Sequence, residues 1–115
     1  MATIREIIKD IQNEVGGKEL LPDRAAELLN QLAALLGNIN QEIRQRDFEY
    51  STVLLSYLQS EQKATHAKIK AECSLEFLAK REARDTKELA LEMIRSLKYY
   101  LQAKRDELQT TKYQK

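Results

Sequence analysis

The sequence predicts an all-α protein: a short N-terminal helix followed by a long coiled-coil-like helical hairpin that self-associates. Three observations carry this. The 115 residues include only three Gly and one Pro, so turn signals are scarce. Charged residues make up 32% of the chain and Trp is absent, a composition suited to long solvated helices. Apolar residues recur at alternating three- and four-residue steps along most of the length. One helical domain over residues 1–115 is expected, large enough for a modest core and small for a deep catalytic cleft.

The first helix is expected over residues 1–17. Thr3 suits its N-cap, and Glu6, three residues on, completes a capping box. Ile4, Ile7, Ile8, Ile11 and Val15 then fall on one face, and Gly16-Gly17 supplies a left-handed stop. Lys18 to Leu21 forms a short connection. Pro22 fits the first turn of a second helix, where its missing N–H has no helical partner to lose.

The second helix is expected over residues 22–72, roughly 75 Å long at 1.5 Å per residue. Its seam begins at Ala25 and continues through Leu29, Leu32, Leu36, Ile39, Ile43, Arg46, Tyr50, Val53 and Tyr57 to Ser60, Ala64, Ala67 and Ala71. A seven-residue period held this long is the pattern of paired helices with a shallow, left-handed crossing. The chain is too short to cover the whole seam, so residues 29 to 57 of it are the expected oligomer interface. Arg46 inside the seam needs a carboxylate, from Asp47 or Glu49 beside it or from Glu42 of a partner helix. Gly37 weakens the helix locally and allows a bend.

A third helix is expected over residues 75–108, carrying Leu75, Leu78, Leu89, Ala90, Met93, Ile94, Leu97, Tyr100, Leu101 and Leu108. Ser74 suits its cap; Asp85 with Glu88 offers a second possible start, with a kink between Arg81 and Thr86. The polar tail, residues 109–115, is expected to fray.

Toward the turn the seam shrinks to Ala64, Ala67 and Ala71 while basic residues gather. Small seam residues let two backbones approach, but each missing methylene forfeits about 0.8 kcal/mol of burial. The turn is therefore a looser, basic elbow. Lys68, Lys70, Lys80, Arg81, Arg84 and Lys87 bracket it, and Arg95, Lys98 and Tyr99 follow, with Lys104 and Arg105 beyond. Phosphates would meet the cations, and an exposed tyrosine can stack on an unpaired base. Glu61, Glu72, Glu76, Glu82 and Asp85 intersperse the first set, so an ordinary solvated face is the competing explanation. Charge is also uneven: residues 1–60 hold six Lys/Arg against nine Asp/Glu, and residues 61–115 hold thirteen against nine.

Catalysis has little support. His66 is the single histidine and Cys73 the single cysteine, without metal-ligand spacing, and no phosphate-binding glycine loop or nucleophile elbow occurs. No catalytic residue, metal or cofactor is expected. A lone cysteine fits a reducing interior, and "MATIREIIKDI" lacks the apolar core of a signal peptide. Nothing has the apolar length of a membrane span. A cytoplasmic protein with no membrane partner is expected.

Residues 67 to 109, "AKIKAECSLEFLAKREARDTKELALEMIRSLKYYLQAKRDELQ", resemble a small helical family encoded by tailed phages and prophages. The resemblance rests on an "AK.KA..S" step (Ala67, Lys68, Lys70, Ala71, Ser74) leading to "IR.LKY.L" (Ile94, Arg95, Leu97, Lys98, Tyr99, Leu101). Such proteins lie near phage recombination or single-strand-binding genes and are similar in layout to recombination mediators. The resemblance implies an accessory role in recombination or replication in the cytoplasm of a bacterial host. Its implied partners are single-stranded DNA and a recombinase or single-strand-binding protein, beside the chain itself. A structural or scaffolding protein of phage assembly, with no nucleic-acid contact, is the alternative.

Overall fold

The computed structural model describes residues 2–17 and 19–113 and is all-helical, with no strand among them. Lys18 of the expected connection, and Gln114 and Lys115 of the expected frayed tail, lie outside the described residues. The four helices are α1 (Ile4–Gly16), α2 (Pro22–Ser60), α3 (Ala64–Glu72) and α4 (Leu75–Tyr113).

Local chemistry sets most of the boundaries. The Thr3 hydroxyl accepts from the Glu6 amide at 3.2 Å and the Glu6 carboxylate accepts from the Thr3 amide at 3.4 Å, a complete capping box. Gly17 follows α1 with φ −88°, so the left-handed stop expected there is absent. Glycine serves a different need, since an added Cβ would stand 3.1 Å from the Asn13 carbonyl oxygen. Pro22 opens α2 as expected. Ser74 caps α4 by accepting from the Phe77 amide at 3.2 Å while donating to the Ala71 carbonyl. This favours Ser74 over Asp85 as the start, and α4 runs without interruption from there to Tyr113.

The second helix departs from expectation. It ends at Ser60 rather than continuing to Glu72, and α3 is a separate nine-residue helix. No Gly or Pro marks this break. The Ser60 hydroxyl instead bonds back to the Tyr57 carbonyl, competing for a helical acceptor. The next seam positions offer only alanine to hold a continuing helix in place. Gly37 lies within α2, where an added Cβ would meet nothing within 4 Å.

The chain divides into two compact units, and α2 and α4 contribute to both. The first comprises residues 1–36 and 88–115. Its core draws Ile8 and Ile11 from α1, Ala25, Leu28 and Leu32 from α2, and Ala90, Met93, Ile94 and Leu97 from α4. Leu28 was not on the expected seam; a helix serving two neighbours needs a wider apolar face than a two-helix stripe. The second unit, residues 37–87, buries Ile39, Tyr50, Ala67, Ala71, Ala83 and Thr86. The Thr86 hydroxyl is satisfied there by the Glu82 carbonyl at 2.8 Å. Leu75, Leu78 and Leu108, expected on the inner face of the last helix, are exposed.

Candidate nucleic-acid interface

The basic residues of the second unit are largely committed within it. Lys70 forms an ion pair with Glu61, whose hydrogen bond and charge raise the lysine pKa above its ordinary value. Arg84 on α4 reaches Asp47 on α2 at 2.8 Å. The Lys80 ammonium stands over the Tyr50 ring, 4.5 Å from its centroid, and Arg81 lies 5.9 Å from the centroid of Phe77. The two rings pack tilted against each other, 5.3 Å apart. Lys87 is half-buried. Of this set, Lys68 alone is both exposed and without an interaction partner among the described residues. The elbow thus brings its cations together and then occupies them.

The first unit is arranged differently. Arg95, Lys98, Gln102 and Arg105 follow one another on α4 at steps of three, four and three, one stripe on the helix surface. All four are exposed, and the three cations form no ion pair among the described residues. Tyr99 beside them is 75% exposed. Of the nearby acids, Asp106 accepts from Gln102 of the stripe itself at 3.0 Å, and Glu107 accepts from Lys104 at 3.4 Å. Glu92 stands one turn before Arg95 and makes no ion pair with it. Tyr100 turns inward, donating its hydroxyl proton to the Leu20 carbonyl, with Lys104 5.8 Å from its ring centroid. Adjacent tyrosines therefore divide their work: one packs, the other is free.

The expected oligomer seam is covered in part within the chain itself. Leu32, Ile39 and Tyr50 are buried, and Leu29, Leu36, Ile43, Arg46, Val53 and Tyr57 are half-buried. Burial, with the Glu72 charge second, raises the Tyr50 phenol pKa above its ordinary value. Arg46 finds carboxylates on its own helix, Glu49 at 3.0 Å and Glu42 at 3.8 Å. That i−4 and i+3 placement satisfies the guanidinium without a partner helix. His66 and Cys73 are both exposed.

Among the described residues no helix is long and apolar enough to cross a membrane, and no three His, Cys, Asp or Glu gather as a metal site. No family model, curated protein or solved structure matches the chain.

Proposed function

We propose that this chain is a non-enzymatic helical module that holds single-stranded nucleic acid weakly along the outer face of α4 and also self-associates. The observation that carries the reading is the Arg95–Lys98–Arg105 stripe. Three exposed cations without acidic partners stand beside an exposed tyrosine, while the elbow cations Lys70 and Arg84 are held by Glu61 and Asp47. Cations of this kind track a phosphate backbone, and the Tyr99 ring offers a face on which any base can stack. Coiled-coil-like pairing of α2 with α4 supplies the stiff platform. In the second unit it is supported by the Asp47–Arg84 ion pair and the Tyr50–Phe77 ring contact. The role that the phage resemblance implies, helping to load a recombinase onto coated single strands, accords with weak binding that a partner can displace.

Titration of a labelled oligonucleotide at two salt concentrations tests the reading. Each phosphate contact on a single strand contributes about −0.7 to the slope of log affinity against log salt. Replacing Arg95, Lys98 and Arg105 together by Ala should flatten that slope by about two units. Lys70→Ala should leave it unchanged. Absence of binding by the wild-type chain at low salt overturns the proposal and leaves the scaffolding reading, which the internal commitment of the elbow cations favours.

A further inference from the structure

α2 is apolar on two sides within the second unit. One side turns Ile39 and Tyr50 into the core. The other presents Phe48, Leu55 and Leu58, which are 69%, 55% and 44% exposed. With Ser51 they fall at positions 48, 51, 55 and 58, a three-four-three stripe on one helix face. Scattered exposed apolar residues are ordinary, but a contiguous row is a mark of contact.

The surroundings of the row are as informative as the row. Between Gln41 and Ser60, α2 has eleven exposed residues, and Arg44 is the single charged one. The others are Gln, Ser, Thr, Phe and Leu. This contrasts with α4 of the same unit, where four of the six exposed residues from Leu75 to Lys87 are charged. The outer face of α2 instead has an apolar centre edged by amides and hydroxyls, the distribution of an interface core and its rim.

The geometry points to a second copy of this chain as the occupant, docked antiparallel about a two-fold axis beside Val53. That operation sets Phe48 opposite Leu58 of the second copy and Ser51 opposite its Leu55. Each leucine of the row thus meets a residue able to receive it, and the row is complementary to itself, as an isologous contact requires. Charge weighs against two other occupants. A nucleic acid would gain one cation from this face, and a charged protein surface would be desolvated without counter-charges. Charge also selects the orientation. Parallel copies would set the two Arg44 guanidiniums side by side, whereas the antiparallel arrangement separates them by eighteen residues of helix, about 27 Å. Three large side chains from each copy place the contact among small interfaces, below about 1,200 Å² in total.

This inference deepens the self-association proposed above and moves it from the inner seam to the outer face of α2. Sedimentation equilibrium across the micromolar range tests it. The wild-type chain should dimerise, and Phe48→Glu/Leu55→Glu should remain monomeric with wild-type helicity by circular dichroism. Should the double variant unfold, Leu55→Ser serves instead, raising the dimer dissociation constant by about tenfold or more. A wild-type chain that stays monomeric, or a dimer that neither variant weakens, overturns the inference. The nucleic-acid reading is measured separately, because the monomeric variant should keep the wild-type oligonucleotide salt slope.

Discussion

Arg84 and Asp47 illustrate how one pair of residues decides what a basic patch can do. The guanidinium contacts one carboxylate oxygen at 2.8 Å, while the other oxygen, Asp47 Oδ1, is buried with no hydrogen-bond partner. Removing the arginine would leave a half-buried carboxylate with neither oxygen paired, a costlier state than losing two exposed charges together. Because the two side chains are 55% and 35% exposed, solvent screens part of this effect. Arg84→Ala should therefore destabilise the fold by about 1 kcal/mol. Adding Asp47→Ala should recover much of the loss, giving a coupling of similar size in a urea-denaturation double-mutant cycle. If Arg84→Ala leaves the urea midpoint unchanged, the pair has no structural weight. Arg84 would then be free to serve a phosphate. The positive charge of this residue is legible in the sequence, but its commitment is not, because its partner lies 37 positions away on another helix. Lys70 repeats the lesson through Glu61, nine positions away across a break that no Gly or Pro announces.

At the scale of elements, legibility followed locality. Thr3 with Glu6, Pro22 and Ser74 mark helix starts correctly because a cap is made within one turn of chain. The end of α2 was missed because it depends on what the following residues can bury, and alanines bury little. The exposed Leu75 and Leu78 were misplaced for a related reason: a period reveals which residues share a face, not which face finds a neighbour. α3 bears the consequence. Its N-cap is Lys63, whose side chain makes no capping hydrogen bond, and it places no acidic residue in its first turn. A lysine there also sets positive charge against the positive end of the helix dipole. Lys63→Ser would supply a hydroxyl to an unpaired amide and remove that repulsion. The expected gain is about 1 kcal/mol, read as a higher urea midpoint with an unchanged slope. An unchanged midpoint would mean that α3 is held by Ala67, Ala71 and the Lys70–Glu61 pair alone.

For the whole chain, the decisive contrast is between two cores of unequal strength. The first unit buries Ile8, Ile11, Leu28, Leu32, Met93, Ile94 and Leu97 beside two alanines. The second buries Ile39 and Tyr50 beside three alanines and Thr86. A fully buried leucine or isoleucine contributes roughly 1.5–3 kcal/mol, and alanine supplies far less apolar area. Ala67 and Ala71 are fully buried, but their methyl groups do not replace the missing methylenes. The two units should therefore open at different free energies even though α2 and α4 belong to both. Native-state hydrogen exchange in low guanidinium gives the measurement. Amides of residues 39–58 and 67–87 should exchange through an opening of lower free energy and weaker denaturant dependence than amides of residues 25–34 and 90–101. Tyr50→Ala should accelerate exchange in the second unit, with little change in the most protected amides of the first. Leu32→Ala should lower protection in the first unit by about 2–5 kcal/mol, the range for a fully buried leucine. A single free energy of opening shared by both sets of amides would show that the continuous helices fuse the cores into one cooperative body. If the second unit proved the slower to exchange, the alanine-lined packing would be stronger than its buried area allows, and the ranking argued from burial would be wrong.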